Sequence, residues 1–153
     1  MMIRIKESDL LLCCGSTAWA REMAAHSFPN PKEVFATGDS IWWSLKPEDW
    51  REAFAAHPKI GDKANHQWSR EEQAAARHAS DATMTELREL NHAYEERFGY
   101  IFIICANGRS AHSILEALKG RMGNGPEMEI KVAAEQQLEI THLRLRRILM
   151  PGQ

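Results

Sequence analysis

His57 stands directly before Pro58, in Ala56-His57-Pro58-Lys59-Ile60-Gly61-Asp62, where a helix has to stop. Upstream, residues 47–56 predict a helix, with Pro47 at its first position and Glu48 and Asp49 in its first turn. Pro58 disfavours the α conformation at the preceding residue, so the helix should end at His57, and Gly61 permits a further turn. An imidazole at a rigid helix–loop junction is oriented without having to be buried, which suits proton transfer near neutral pH. The same position equally suits a histidine that only complements the helix dipole.

Further groups could supply chemistry. Ser69-Arg70-Glu71-Glu72 fits a capping box, with Glu72 at the third helical position. A carboxylate in a first helical turn is favoured as an anion, and near His57 it would keep the imidazole protonated. Gln73 adds an amide that can donate and accept. Near the C-terminus, a buried stripe of Leu138, Leu145, Ile148 and Leu149 would leave Arg144 and Arg146 flanking it and Arg147 opposite. Either flanking Arg could reach inward, although such a side chain usually snorkels to water. Arg109 follows Gly108 at a helix start, too short a fragment for a phosphate loop. Glu89-Leu90-Asn91-His92 and Glu139-Ile140-Thr141-His142 share the Glu-x-x-His spacing of di-iron bundles, but the composition makes such matches common by chance. A third reading is a helical interaction module presenting Trp42, Trp43 and Trp50, residues that more often fill a core.

The elements that must hold these groups are almost all helical. A chain of 153 residues is one domain, spanning 1–153, with enough length for a real core. Nineteen basic and 21 acidic residues give a net charge of −2, which offers no general basic field for nucleic acid. Cys13, Cys14 and Cys105 have no metal spacing and fit a reducing compartment. No apolar run approaches a membrane span and no signal-peptide core is visible, so a cytoplasmic protein is expected. Helices are predicted over 8–14, 16–26, 32–45, 47–57, 69–79, 83–97, 110–119 and 127–149. Ser8, Ser16, Ser69, Thr83 and Ser110 serve as caps, and Gly38 is a weak point in the third. Residues 59–68 read as loop. Residues 98–105 have strand propensity, yet one strand makes no sheet. The expectation is an all-α domain of about seven or eight helices, with one buried extended segment near 100–106 whose backbone needs partners other than a ladder.

Read in order, His57-Pro58-Lys59-Ile60-Gly61, Ser69-x-x-Glu72-Gln73, Leu90-Asn91 with Tyr94, residues 97–106 and Leu143-Arg144-Leu145 resemble the OHCU decarboxylases. The resemblance covers nearly the whole chain; Ile101 stands where many relatives have Pro. It implies an all-α, cofactor-independent, usually dimeric enzyme with no metal. Such an enzyme converts 2-oxo-4-hydroxy-4-carboxy-5-ureidoimidazoline (OHCU) to (S)-allantoin. By motif, it implies catalytic roles for His57, Glu72 and Arg144, with His57 the acid. Substrate would be bound by Pro58, by Ser69, Arg70, Glu71, Glu72 and Gln73, and by Phe102, Ile103, Ile104, Cys105 and Ala106. The last five would meet a urea-like ring through unpaired backbone amides and carbonyls.

Overall fold

Short polar residues and prolines set the helix starts in the computed structural model, which describes residues 1–58 and 81–152. Ser16 accepts a hydrogen bond from the Trp19 amide at 3.3 Å. Asn30 accepts from the Glu33 amide at 3.0 Å, directly before Pro31. Ser110 accepts from the Ser113 amide at 3.0 Å. Each cap satisfies an amide that the first helical turn leaves without a partner.

The described residues hold seven helices and no strand: α1 (Glu7–Cys13), α2 (Thr17–Ala24), α3 (Pro31–Ser44), α4 (Pro47–Ala55), α5 (Asp81–Phe98), α6 (Ala111–Arg121) and α7 (Pro126–Leu149). They divide into two units, one of Met1–Ala56 with Gln137–Gln153 and one of His57–Gln136. The expected loop over 59–68 and helix over 69–79 lie outside the described residues. Two expected caps are corrected. α1 begins at Glu7 after Lys6, with no side-chain cap, so Ser8 lies inside it. Thr83 likewise lies within α5, which extends back to Asp81. Capping motifs also occur inside helices, where the continuing turn already pairs the amides.

In the first unit, α1 to α4 enclose Leu10, Trp19, Met23, Trp42 and Phe54, all essentially inaccessible to solvent. Burying indoles demands partners for their N–H groups. Trp19 donates to the Gly38 carbonyl at 3.0 Å and Trp50 to the Trp42 carbonyl at 2.9 Å. α3 continues through Gly38, where an added Cβ would meet Trp19 and Met23 only at ordinary contact distance, 3.5 Å. The chain before α1 is pinned by an antiparallel bridge between Ile3 and Phe28. In the second unit, α5 and α6 bury Leu87, Tyr94, Phe98, Ile114 and Leu118. Gly108, at φ +79°, turns the chain into α6.

One close approach fixes the end of α4. A Cβ on Gly15 would lie 2.5 Å from the Ala56 Cβ, closer than two carbons can approach. Gly15→Ala should therefore destabilise the fold by about 1–3 kcal/mol, as overpacking does. Gly15→Ala with Ala56→Gly should recover most of that loss. Urea unfolding of the two variants tests the contact, and a wild-type midpoint for Gly15→Ala alone would refute it.

Candidate active site

α4 ends at Ala55, and the Ala56 amide closes its last turn on the Ala53 carbonyl at 3.2 Å. His57 and Pro58 follow outside the helix, both half-buried. The helix thus stops two residues ahead of His57, and the imidazole is held by a bend instead of a helical turn. Ser69, Arg70, Glu71, Glu72 and Gln73 lie outside the described residues.

In the first unit, the flanking-arginine question resolves in favour of Arg144. It is 6% exposed and donates from Nη1 to the Leu12 carbonyl at 3.2 Å, whereas Arg146 is exposed. The expected leucine stripe is corrected. Leu138, Ile148 and Leu149 are half-buried, while Gln137, Ile140, Thr141, Arg144 and Leu145 are buried. Gln137 and Thr141 make this possible by pairing across one helical turn. Thr141 Oγ1 donates to the Gln137 carbonyl at 2.9 Å, and the Gln137 amide reaches Thr141 Oγ1 at 3.2 Å. Cys14 completes this polar pocket of the core. Burial pushes its thiol up to about 12, against opposing hydrogen bonds from the Ser16 backbone and Thr141 and the charge of Arg144.

In the second unit, residues 102–106 are neither helical, turned nor bent, as expected of an extended segment. The side chains of Phe102, Ile103, Ile104 and Ala106 are buried, and Cys105 is half-buried. What the segment can offer a ligand is therefore mostly backbone. Several of its backbone groups are taken by partners other than a ladder, as expected; the Ala106 carbonyl, for one, accepts from the Arg109 amide at 3.0 Å. Arg121 Nη1 donates to the Ile103 carbonyl at 2.7 Å, and the Cys105 amide donates to Gln136 Oε1 at 2.9 Å. The Arg121 guanidinium also lies 4.3 Å from the centroid of the Phe102 ring.

Arg121 is itself fixed by Glu129, whose side chain is fully buried. Its Oε2 accepts from Arg121 Nε at 2.9 Å and Nη2 at 2.7 Å, and its Oε1 accepts from Asn124 Nδ2 at 2.9 Å. The Tyr94 hydroxyl donates to the same carboxylate. Burial first, and then the bond to Glu129, hold the Tyr94 phenol well above its usual range, so it remains a donor. Nearby on α5, buried Asn91 has no hydrogen-bond partner for Nδ2 among the described residues. Sequence reasoning missed Arg121, Gln136 and Glu129. Glu129 reads as an ordinary acid near a helix start, and no spacing marks it as buried.

The remaining candidates take ordinary places. His92 is exposed and pairs with Glu96 at 2.8 Å; Glu89 and Glu139 are exposed. His142 pairs with Asp39 at 2.5 Å and packs edge-on against Phe35. Among the described residues, no group of three or more His, Cys, Asp or Glu could hold a metal, so the di-iron spacing is not matched by geometry. Trp42 and Trp50 are core residues, leaving Trp43 exposed with its ring edge-on to Trp50. Arg109 donates to Ser113 Oγ at 3.2 Å, within its own helix start. No described helix is long and apolar enough to cross a membrane.

An all-α chain with a histidine at a helix exit and a backbone-presenting segment defines a class of small helical proteins. A profile for OHCU decarboxylase matches residues 6–146, and the chain belongs to that family. It is 37% identical to the uric acid degradation bifunctional protein TTL of Arabidopsis thaliana, over 97% of this chain and 48% of that protein. It is 41% identical to a 2-oxo-4-hydroxy-4-carboxy-5-ureidoimidazoline decarboxylase of Amia calva, over 46% of this chain and 39% of that one. The chain thus spans about half or less of the length of these curated relatives. A crystal structure of OHCU decarboxylase in the presence of (S)-allantoin superposes with a TM-score of 0.85 at 38% identity, over 92% of this chain and 96% of the other.

Two outcomes follow from the buried groups. Glu129→Ala would leave the Arg121 guanidinium without its carboxylate and should cost about 3–5 kcal/mol in urea unfolding; a loss below about 1 kcal/mol would show the cluster to be unimportant. With its thiol raised to about 12, Cys14 is neutral in the folded protein at pH 8. Iodoacetamide should then modify Cys105 first and reach Cys14 only on unfolding. The unfolded thiol ionises near 9 and the folded one does not, so this group's contribution to stability falls as pH rises from 9 towards 12. Mass mapping that finds Cys14 alkylated as fast as a denatured thiol would contradict its burial.

Proposed function

We propose that this protein decarboxylates OHCU to (S)-allantoin and carbon dioxide, without a cofactor, in the breakdown of urate. The observation that carries the reading is the family match over residues 6–146, which contains every position assigned a role below. In the reaction, the bond from ring carbon 4 to its carboxyl group breaks. The electron pair released forms a double bond between carbons 4 and 5 while the π pair of the ring imine at carbon 5 moves to its nitrogen, which takes up a proton, leaving an enol across carbons 4 and 5. Collapse of that enol to the carbonyl releases the proton of the carbon 4 hydroxyl and takes up a proton at carbon 5, which becomes the stereocentre.

His57 is the proton donor: an imidazolium titrates in the right range and, held at a helix exit, it can deliver to one face. Glu72 holds the substrate hydroxyl or a ring nitrogen and keeps His57 charged. Arg144 binds an anionic or carbonyl oxygen, the task a planar, permanently charged fork does best. Pro58, residues 69–73 and residues 102–106 bind the substrate, the last through backbone groups that match the donors and acceptors of a ureide. Acid catalysis and charge stabilisation of this kind each contribute roughly 10²–10³ in rate. The chain works as one domain and as a homodimer in the cytoplasm, and it takes no part in nucleic-acid or membrane binding.

The test is to generate OHCU enzymatically from urate and follow chiral allantoin by circular dichroism. Wild-type protein should accelerate its appearance and give one enantiomer. His57→Asn should reduce the rate to that of spontaneous decay while the far-ultraviolet spectrum stays unchanged. Near-wild-type turnover by that variant would remove His57 from the mechanism.

A further inference from the structure

Residues 103–105 are tethered at two points to side chains on other elements. The Ile103 carbonyl accepts from Arg121 at 2.7 Å, and the Cys105 amide donates to Gln136 at 2.9 Å. Those two groups belong to the two peptide units that flank Ile104. A trans peptide is planar, with its C=O and N–H directed oppositely. No cis bond occurs in the described chain. The Arg121 contact therefore aims the Ile104 N–H directly away from Arg121. The Gln136 contact aims the Ile104 C=O directly away from Gln136. In an unbent, extended residue both groups point to the same side, as they do in an antiparallel ladder.

Among the described residues, neither the amide nor the carbonyl of Ile104 has a protein hydrogen-bond partner. Ile104 is nevertheless only 5% exposed. Buried backbone groups left unpaired are costly and rare, so this pair is open to the hydrogen bonds of a ligand.

We infer that Arg121 and Gln136 are positioning residues: they orient the Ile104 N–H and C=O as a donor–acceptor pair for the amide edge of a ureide ring. This rests on the ureide chemistry proposed above. Glu129 serves the same end one step removed, by fixing Arg121 through two of its nitrogens while a third reaches Ile103. Phe102 under the guanidinium prevents it from swinging aside. Hydantoin-like rings carry a C=O beside an N–H in the cis arrangement, and one residue of extended backbone complements such an edge.

Arg121→Met risks unfolding, because it strands Glu129, so Gln136 on half-buried α7 is the better handle. Gln136→Leu removes the acceptor with little change in volume; Gln136→Glu keeps one. Gln136→Leu should raise KM about tenfold with kcat altered less than threefold, and should weaken (S)-allantoin binding in parallel. Gln136→Glu should restore both to within about threefold of wild type. The Cys105 amide should exchange with solvent faster in Gln136→Leu at an unchanged melting temperature. An unaltered KM in folded Gln136→Leu, or an equal loss in both variants, overturns the inference. A wild-type protein without turnover overturns the functional reading instead. The Cys105 amide then decides the positioning alone: exchange unaffected by Gln136→Leu refutes it.

Discussion

A carboxylate with no access to water must be answered entirely by the protein, and Glu129 is answered by Tyr94, Arg121 and Asn124. Removing an ion from water costs several kcal/mol, which is offset here by charge-assisted hydrogen bonds to both oxygens. The consequence reaches beyond the pair. Once Glu129 fixes Arg121, the remaining guanidinium nitrogen is available for one backbone carbonyl, that of Ile103. The aromatic rings close around this centre, with Tyr94 edge-on to Phe102 at 5.2 Å between centroids. A segment with no ladder of its own is thereby held by side chains.

The same economy governs the final helix. Its buried face carries Glu129, Gln137, Thr141 and Arg144 among Ala133, Ala134, Ile140 and Leu145. Each polar member finds a partner in its own unit: Glu129 in the arginine cluster, Gln137 and Thr141 in each other, and Arg144 at the carbonyl of Leu12. A purely apolar stripe would pack as well, but it would present no charge for chemistry. The exposed face of the helix is charged in the ordinary way, with Lys131, Glu135, Glu139 and Arg146, and its half-buried leucines lie to the side.

Helix boundaries set by Ser16, Pro47 and Ser110 were legible in the sequence, because those residues act locally through the first amides of a helix. The extended character of residues 102–106 was legible for a related reason: aromatic and β-branched residues with no partner run. Tertiary pairing was not. Nothing in Glu127-Met128-Glu129 distinguishes the solvated first acid from the buried second one, since both complement a helix start equally well. The stripe of α7 misled because hydrophobicity was read as depth, whereas Arg144 and Gln137 are deeper than Leu138. Arg144 and Arg146 were separated only by which of them the folded chain offers an inward carbonyl. The family motifs pointed to His57 and residues 102–106, but not to the arginine and glutamine that hold the second of these.

The contact between Gly15 and Ala56 can be translated into a rule about inheritance. Positions 15 and 56 together have room for a single methyl group, so position 15 can gain a side chain in descendants of this chain only where position 56 gives up its own. Ala56 is covalently joined to His57, so a bulkier residue at either position would strain the residue that leads into it. A glycine 42 residues upstream in the sequence thus belongs to the evolutionary history of the proposed proton donor, although it contributes no atom to the reaction. Among relatives, the two sites should exchange their methyl as a pair.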